Sequence, residues 1–396
     1  MKAVVWQGEK NVKVETVPDP VIEKDNDIII KVTSSAICGS DLHLYRVLSP
    51  FMEPGDIMGH EPMGEVVETG KAITDLKIGD RVVIPFNISC GHCPMCTEGL
   101  QSQCETTQVK KYDRGAALFG YTKLYGHVPG GQAEYLRVPE AQYGPIKIPK
   151  YGPDDLFLFL SDVLPTAWQA VEYAGVRKGS TVVVMGLGPI GLMSCRIAKL
   201  KGASLVIGVD DVPERLAAAE AYGAHTLNYR KLGQRLSEAV QIHTEGRGAD
   251  AVIEAVGMES HGIALQTAAH KVAVKMPSLI TEPFMEHFGF DRMAAFNQAV
   301  ECVRRGGTIS LVGVYAGKLD PVPLGTLFDK QISLRMGQAN VKNWIDRIIP
   351  YLNEADPLGV LSFATNHVPL DQAEEYYRRF SKMEDGIIKV VLNPFA

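Results

Sequence analysis

Thr181-Val182-Val183-Val184-Met185-Gly186-Leu187-Gly188-Pro189-Ile190-Gly191 joins an unbroken apolar run to a G-x-G-x-x-G turn, and a helical pattern over residues 190–201 follows at once. That context gives the motif its meaning, because a dinucleotide-binding turn must leave a strand and open a helix. The first glycine permits the turn, the second lets backbone approach a pyrophosphate, and the third lets the helix pack closely. Gly186, Gly188, Pro189, Ile190 and Gly191 are therefore candidate cofactor contacts, and the helix N-terminus favours phosphate charge. Asp210 closes the next apolar run, 19 positions after Gly191, where an acid hydrogen-bonds the adenosine ribose. With Asp211 beside it, a 2′-phosphate meets like charge, so NAD is expected over NADP. Arg215 pulls the other way, since arginine can hold a 2′-phosphate.

Outward from the turn, apolar runs and helical patterns alternate. Residues 205–209 read as strand, 213–222 as helix, 225–227 as a short strand and 236–244 as helix. A strand at 251–256, a helix at 294–305 and a buried strand at 308–312 follow. This alternation predicts βαβ units around a parallel sheet buried on both faces. Residues 258–292 exceed what a crossover needs and find no place in the pattern. Before residue 150 the texture differs, with short strands expected at 28–32, 64–68, 81–84 and 133–138, separated by Pro and Gly. A helix at 372–381 and an extended stretch at 387–392 are expected to return to this first domain.

The 396 residues are 46% hydrophobic and 22% charged, enough core for two or three domains. A formal net charge of −6 offers no basic field for nucleic acid or acidic lipid. The opening residues lack the apolar core of a signal peptide, and the uncharged stretch at 181–195 is too short and too rich in glycine to span a bilayer. Seven cysteines, four of them crowded between Cys90 and Cys104, suggest reduced thiolates given to metal rather than disulfides. The expected location is the cytoplasm.

Cys90, Cys93, Cys96 and Cys104 follow a C-x2-C-x2-C-x7-C spacing. Two-residue spacers let tight turns aim neighbouring sulfurs at one point, as tetrahedral zinc requires. Iron–sulfur runs share the triplet, but the fourth spacing fits neither common ferredoxin pattern. Four thiolates so spaced point to a structural zinc. A closed set of four thiolates leaves no open corner for chemistry.

Cys38-Gly39-Ser40-Asp41-Leu42-His43 and Gly59-His60-Glu61-Pro62 supply further donors. Alone, Cys38 is often a core residue, and a lone histidine such as His60 is more often a hydrogen-bonded core residue than a ligand. In order and spacing, however, Cys38-Gly39-Ser40-Asp41-x-His43, Gly59-His60-Glu61-x-x-Gly64, the four-cysteine lobe and the glycine turn resemble the zinc-containing medium-chain alcohol dehydrogenases. Gly130-Gly131-Gln132-Ala133-Glu134-Tyr135 and Leu160-Ser161-Asp162-Val163-Leu164-Pro165-Thr166 resemble that family's glutathione-independent formaldehyde dehydrogenase and formaldehyde dismutase branch.

The resemblance implies an α/β protein: a GroES-like β-rich catalytic domain (1–163 and 338–396) carrying two zinc ions, and a doubly wound Rossmann domain (164–337) for NAD. It implies Cys38, His60 and Asp162 as catalytic-zinc ligands, with Glu61 as a neighbouring or exchanging ligand. Many relatives carry cysteine where Asp162 stands. Asp162 also suits the cap of a helix starting near Pro165. Ser40 matches the hydroxyl that contacts the reacting oxygen, His43 the imidazole that passes the proton onward, and Phe86 a substrate-pocket wall or an ordinary core residue. Thr166, Val256, Val314 and Lys389 are expected along the cofactor, Lys389 near the pyrophosphate. Gly39 replaces a phosphate-binding residue of several relatives.

The activity so implied is hydride transfer between NAD and a small alcohol or aldehyde, formaldehyde first among them. The rivals are polyol, sugar or bulkier-alcohol oxidation on the same scaffold, and a non-catalytic relative that keeps NAD and zinc. A homodimer or homotetramer is implied, with no nucleic-acid or membrane partner.

Overall fold

The computed structural model describes residues 1–257, 293–314 and 322–396. They form two compact units, one of Met1–Pro165 with Ala339–Ala396 and one of Thr166–Gln338.

The first unit is built around the strand Ile28–Ile37, whose Ile and Val residues suit a pleated, buried surface. It pairs antiparallel with Glu61–Thr69, Tyr135–Val138 and Val390–Asn393. The sheet extends through Arg81–Val83 to Ile146–Lys147 on one side, and through Val390–Asn393 to Asn366–Pro369 on the other. Ile28, Ile30, Val32, Val66, Val82 and Leu136 pack its core. The expected return of the C-terminal stretch thus takes a definite form, with Val390 opposite Ile37 and Leu392 opposite Ser35. The helix Ala373–Ser381 precedes it. One strand begins earlier than the apolar pattern indicates. Glu61–Thr69 starts directly after His60, because Glu61 already pairs with Ala36. That pairing ties His60 to the strand leading into Cys38.

The second unit is a parallel sheet of six strands among the described residues. Their order is His225–Asn228, Leu205–Asp210, Thr181–Met185, Ala249–Glu254, Val303–Leu311 and Ser333–Met336. In sequence rank this is 3-2-1-4-5-6, the doubly wound arrangement whose switch point lies where the first and fourth strands meet. Val183, Ile207, Val252, Phe296, Val300 and Ile309 fill its core.

One expected element is corrected. The helix Ala294–Cys302 stops three residues short of the expected 305, and the strand Val303–Leu311 begins at once. Arg304 and Arg305 favour helix in isolation, but Val303 pairs with Ala249 and Arg304 Nε binds Asp250 Oδ1 at 2.7 Å, so the sheet claims them. The segment 258–292 lies outside the described residues. Among those described, no helix is long and apolar enough to cross a membrane.

Candidate functional site

Cys38 ends the central strand and caps the helix Gly39–Tyr45, with extended backbone at φ −101° and ψ 162°. Its amide donates to Asp41 Oδ2 at 2.9 Å, so the first helical turn closes on its own acid. His60 arrives from the neighbouring strand. Asp162 lies between the turn Leu158–Ser161 and the helix Val163–Tyr173. The structure brings these three residues together with Glu61, all buried, each offering a ligand atom within 4.8 Å of the others. Asp162 Oδ2 is 3.5 Å from His60 Nε2 and 3.7 Å from Cys38 Sγ. Ser40 Oγ lies 3.1 Å from His60 Nε2. His43 is buried one turn further along the same helix.

The electrostatics of this cluster call for a cation. Burial pushes the Cys38 thiol and the Glu61 carboxyl up from their ordinary values. Burial pulls His60 down, yet the Asp41 charge and the Asp162 hydrogen bond outweigh it and raise the imidazole. Glu61 Oε1 takes a hydrogen bond from Lys389 Nζ at 2.5 Å, while Oε2 is buried without a hydrogen-bond partner. A thiol, an imidazole and two carboxylates around one point, one carboxylate oxygen left unsatisfied, suit a zinc ion. His60 Nδ1 lies 3.1 Å from Asp41 Oδ1. The proton on Nδ1 is therefore held by a carboxylate, and the Nε2 lone pair faces the cluster.

The side chain of Lys389 is completely buried and paired with Glu61. Burial pulls its amine down, and the charges of Glu61 and Cys38 more than restore it. A lone buried carboxylate is costly, and this ammonium offsets the cost. Phe86 is buried, with its ring edge-on to His60 at a centroid distance of 6.4 Å.

The second cluster unites Cys90, Cys93, Cys96 and Cys104, all buried and within the same 4.8 Å limit. Backbone amides aim at the sulfurs: Cys93 N at Cys90 Sγ, Cys90 N at Cys104 Sγ and Glu105 N at Cys93 Sγ, each at 3.4 Å. Burial pushes the Cys93 thiol up, but amide donors of Cys96 and Glu105 overcome it and hold the group down at about 6. Donors of this kind stabilise thiolate, the form that binds metal. No disulfide forms here; all four cysteines are free.

In the second unit the glycine turn takes its expected place, leaving the strand Thr181–Met185 and opening the helix Pro189–Leu200 with Gly188 as its cap. Gly186 has φ +84°, and a Cβ on Gly191 would lie 1.8 Å from Gly186 O. Side chains are excluded at both places. A Cβ on Gly188 would meet nothing within 4 Å, so the space above the helix N-terminus is open for a phosphate. Pro189 fixes the first helical residue, where its missing N–H costs nothing. Ile190 follows it, and its carbonyl accepts Ser194 Oγ.

Asp210 is buried and accepts three backbone amides. Oδ2 accepts the Leu187 amide at 2.7 Å, and Oδ1 accepts those of Asp211 and Val212 at 2.8 and 2.9 Å. It therefore braces the turn. Arg215 Nη1 lies 3.7 Å from Asp210 Oδ2, and Arg230 Nε lies 2.5 Å from Asp211 Oδ2, so both acids have a cation beside them. Val256 reaches the turn, its Cγ2 lying 2.9 Å from where a Gly186 Cβ would stand. Val314 lies against Gly257 and is 37% exposed. Thr166 is half-buried at the start of the unit.

Residues 24–150 match the model of the alcohol dehydrogenase GroES-like domain, and residues 189–275 that of the zinc-binding dehydrogenases. An uncharacterized zinc-type alcohol dehydrogenase-like protein of Bacillus subtilis is 43% identical over the full length of both chains. The chain belongs to the zinc-type alcohol dehydrogenase family. It is thereby an oxidoreductase scaffold. The formaldehyde dismutase of Pseudomonas putida is 33% identical over 99% of this chain and 97% of its own. The solved alcohol dehydrogenase of Thermus sp. ATN1 superposes with a TM-score of 0.84 at 32% identity, covering 99% of each chain.

Two residues near this dehydrogenase's cluster escape a reading of the sequence. Asp41 stands inside the Cys38–His43 motif, and its position three residues after the helix cap is the signal that could mark it. Tyr121 packs edge-on to His60, ring centroids 6.3 Å apart, and burial pushes its hydroxyl well up. Nothing local marks it, since it lies 61 positions from His60.

Proposed function

We propose that the protein is an NAD-dependent zinc dehydrogenase acting on a small primary alcohol or aldehyde, with formaldehyde, as its hydrate, the leading substrate. The observation that carries this is the buried meeting of Cys38, His60 and Asp162, with Ser40 Oγ 3.1 Å from His60 Nε2. Cys38, His60 and Asp162 would hold the metal, Glu61 Oε2 standing by as a further donor. Bound there, zinc supplies a Lewis acid for an alcohol or carbonyl oxygen, and NAD supplies the hydride acceptor. The chain's own groups do the rest. Ser40 Oγ orients the reacting hydroxyl and receives its proton, which His43 conveys onward. Phe86 and Tyr121 wall the site with rings and limit the water near it. Asp210 recognises the ribose while bracing the turn.

The resemblance at Asp162 and the likeness to a formaldehyde dismutase support the choice of substrate. The hydrate of formaldehyde is a small alcohol that needs no thiol carrier. The test is turnover of formaldehyde by the purified protein with and without added NAD or glutathione, beside a panel of larger alcohols. Turnover without glutathione is expected. Oxidation of bulkier alcohols with none of formaldehyde would overturn the substrate and keep the dehydrogenase.

A further inference from the structure

Gln132, in the Gly130–Tyr135 motif, and Tyr377, on the helix Ala373–Ser381, lie at the far side of His60 and have no part in the chemistry above. Both side chains are completely buried. Tyr377 Oη donates to Gln132 Oε1 at 2.7 Å. Gln132 Nε2 donates to Asp41 Oδ2 at 3.1 Å and to Ala36 O at 3.2 Å. Asp41 Oδ1 accepts His60 Nδ1 at 3.1 Å. The four side chains form one continuous line from the C-terminal helix to the imidazole.

The orientation of every member is determined. Ala36 O and the Asp41 carboxylate can only accept, so Nε2 must face them and Oε1 must face the tyrosine. Burial pushes the Tyr377 hydroxyl well above its ordinary value, which keeps it a donor. The line is also braced by packing. Tyr377 stacks at a tilt on Tyr45, on the helix that carries Asp41, with centroids 5.6 Å apart. Gln132 N donates to Met58 O at 2.9 Å, and a Cβ on Gly59 (φ +99°) would lie 2.3 Å from Gln132 Cγ. The glycine before His60 thus leaves room for the glutamine that holds Asp41.

We propose that Gln132 and Tyr377 are positioning residues for the metal, acting through Asp41 to hold His60 Nε2 on the Cys38–Asp162 cluster. The proposal rests on the reading of Cys38, His60 and Asp162 as zinc ligands. Outer partners of a metal-bound histidine commonly change affinity 10–100-fold. Gln132, one bond beyond Asp41, and Tyr377, two beyond, should have progressively smaller effects.

The test follows zinc release to a strong chelator from the parent protein and from Gln132→Met, Tyr377→Phe and the double variant. Tyr377→Phe keeps the ring packing and removes only the hydroxyl. The parent should show two phases, one for each cluster. Gln132→Met should speed the phase of the His60 site roughly tenfold, and Tyr377→Phe about threefold. The four-thiolate phase should not change in either. The double variant should release no faster than Gln132→Met, because the tyrosine acts through the glutamine. With cobalt(II) in place of zinc, both variants should shift the visible bands of the site holding His60 and leave the thiolate bands unmoved. Unchanged release in both single variants, or equal acceleration of both phases, overturns the proposal. A parent protein that releases only four-thiolate zinc overturns the metal reading itself, a result distinct from the other two.

Discussion

Asp41 Oδ1 lies 3.1 Å from His60 Nδ1, and Oδ2 of the same carboxylate takes the backbone amide of Cys38 at 2.9 Å. One buried acid therefore orients two candidate ligands at once. Asp41→Ala should weaken zinc in this cluster by about 10–100-fold and leave the four-cysteine zinc in place. Metal content after dialysis against a graded chelator checks this. Retention of both ions at parental affinity would show that His60 needs no such support.

Asp162 separates a ligand role from a capping role. Asp162→Ala should cut turnover by roughly a thousandfold or more, because the metal's Lewis acidity needs its full donor set. Asp162→Cys should retain the metal, since zinc accepts thiolate as readily as carboxylate. Thermal melts of the two variants should be similar. If alanine removes stability and leaves turnover intact, the residue caps the helix and does not bind metal.

The four-cysteine lobe should be structural. Cys93→Ser should lower zinc from two ions to one per chain and reduce the melting temperature by about 5–10 °C. Metal analysis paired with calorimetry tests both halves. A variant that melts like the parent would remove the structural assignment.

Asp210→Ala should have two consequences, because the carboxylate both faces the proposed ribose site and accepts the amides of Leu187, Asp211 and Val212. NAD affinity should fall. The ratio of NADP to NAD affinity should rise roughly tenfold, equivalent to about 1.4 kcal/mol. Titration with both dinucleotides resolves the two roles. Equal losses for each would mean that the residue only shapes the turn.

Ser40 and His43 should differ in degree. Ser40→Ala should be nearly inactive, because its hydroxyl lies 3.1 Å from His60 Nε2, where the proposed reaction takes its proton. His43→Gln should lose about 10–100-fold, the scale of an assisting acid–base group. Steady-state rates across pH, with metal content verified, decide it. Negligible loss in both variants would place the proton path elsewhere.

What the sequence made legible was local. The glycine turn is one strand end and one helix start, and the four-cysteine lobe spans 15 residues, so spacing alone conveys their geometry. The pairing of Lys389 with Glu61 was not legible, because the two lie 328 positions apart and no local pattern links them. Gln132 and Tyr377 remained silent for the same reason, their bond joining residues 245 positions apart. The helix expected to 305 overran because Arg304 and Arg305 have good helix propensity. Pairing of Val303 with Ala249, a tertiary event, overrode it.

The strand Val390–Asn393 beside Ile28–Ile37 also sets an order of events during synthesis. At a ribosomal pace of roughly 5–20 residues per second, Lys389 emerges tens of seconds after Glu61. All that time Glu61 lacks its counter-charge, and the Ser35–Ile37 end of the central strand lacks one partner. The unit Thr166–Gln338 has been translated before then and can fold by itself. The first unit is therefore complete only after Val390–Asn393 has been made. Chaperone dependence should concentrate in that interval, and the cluster at Cys38 should gain its full set of buried charges only once Lys389 has emerged.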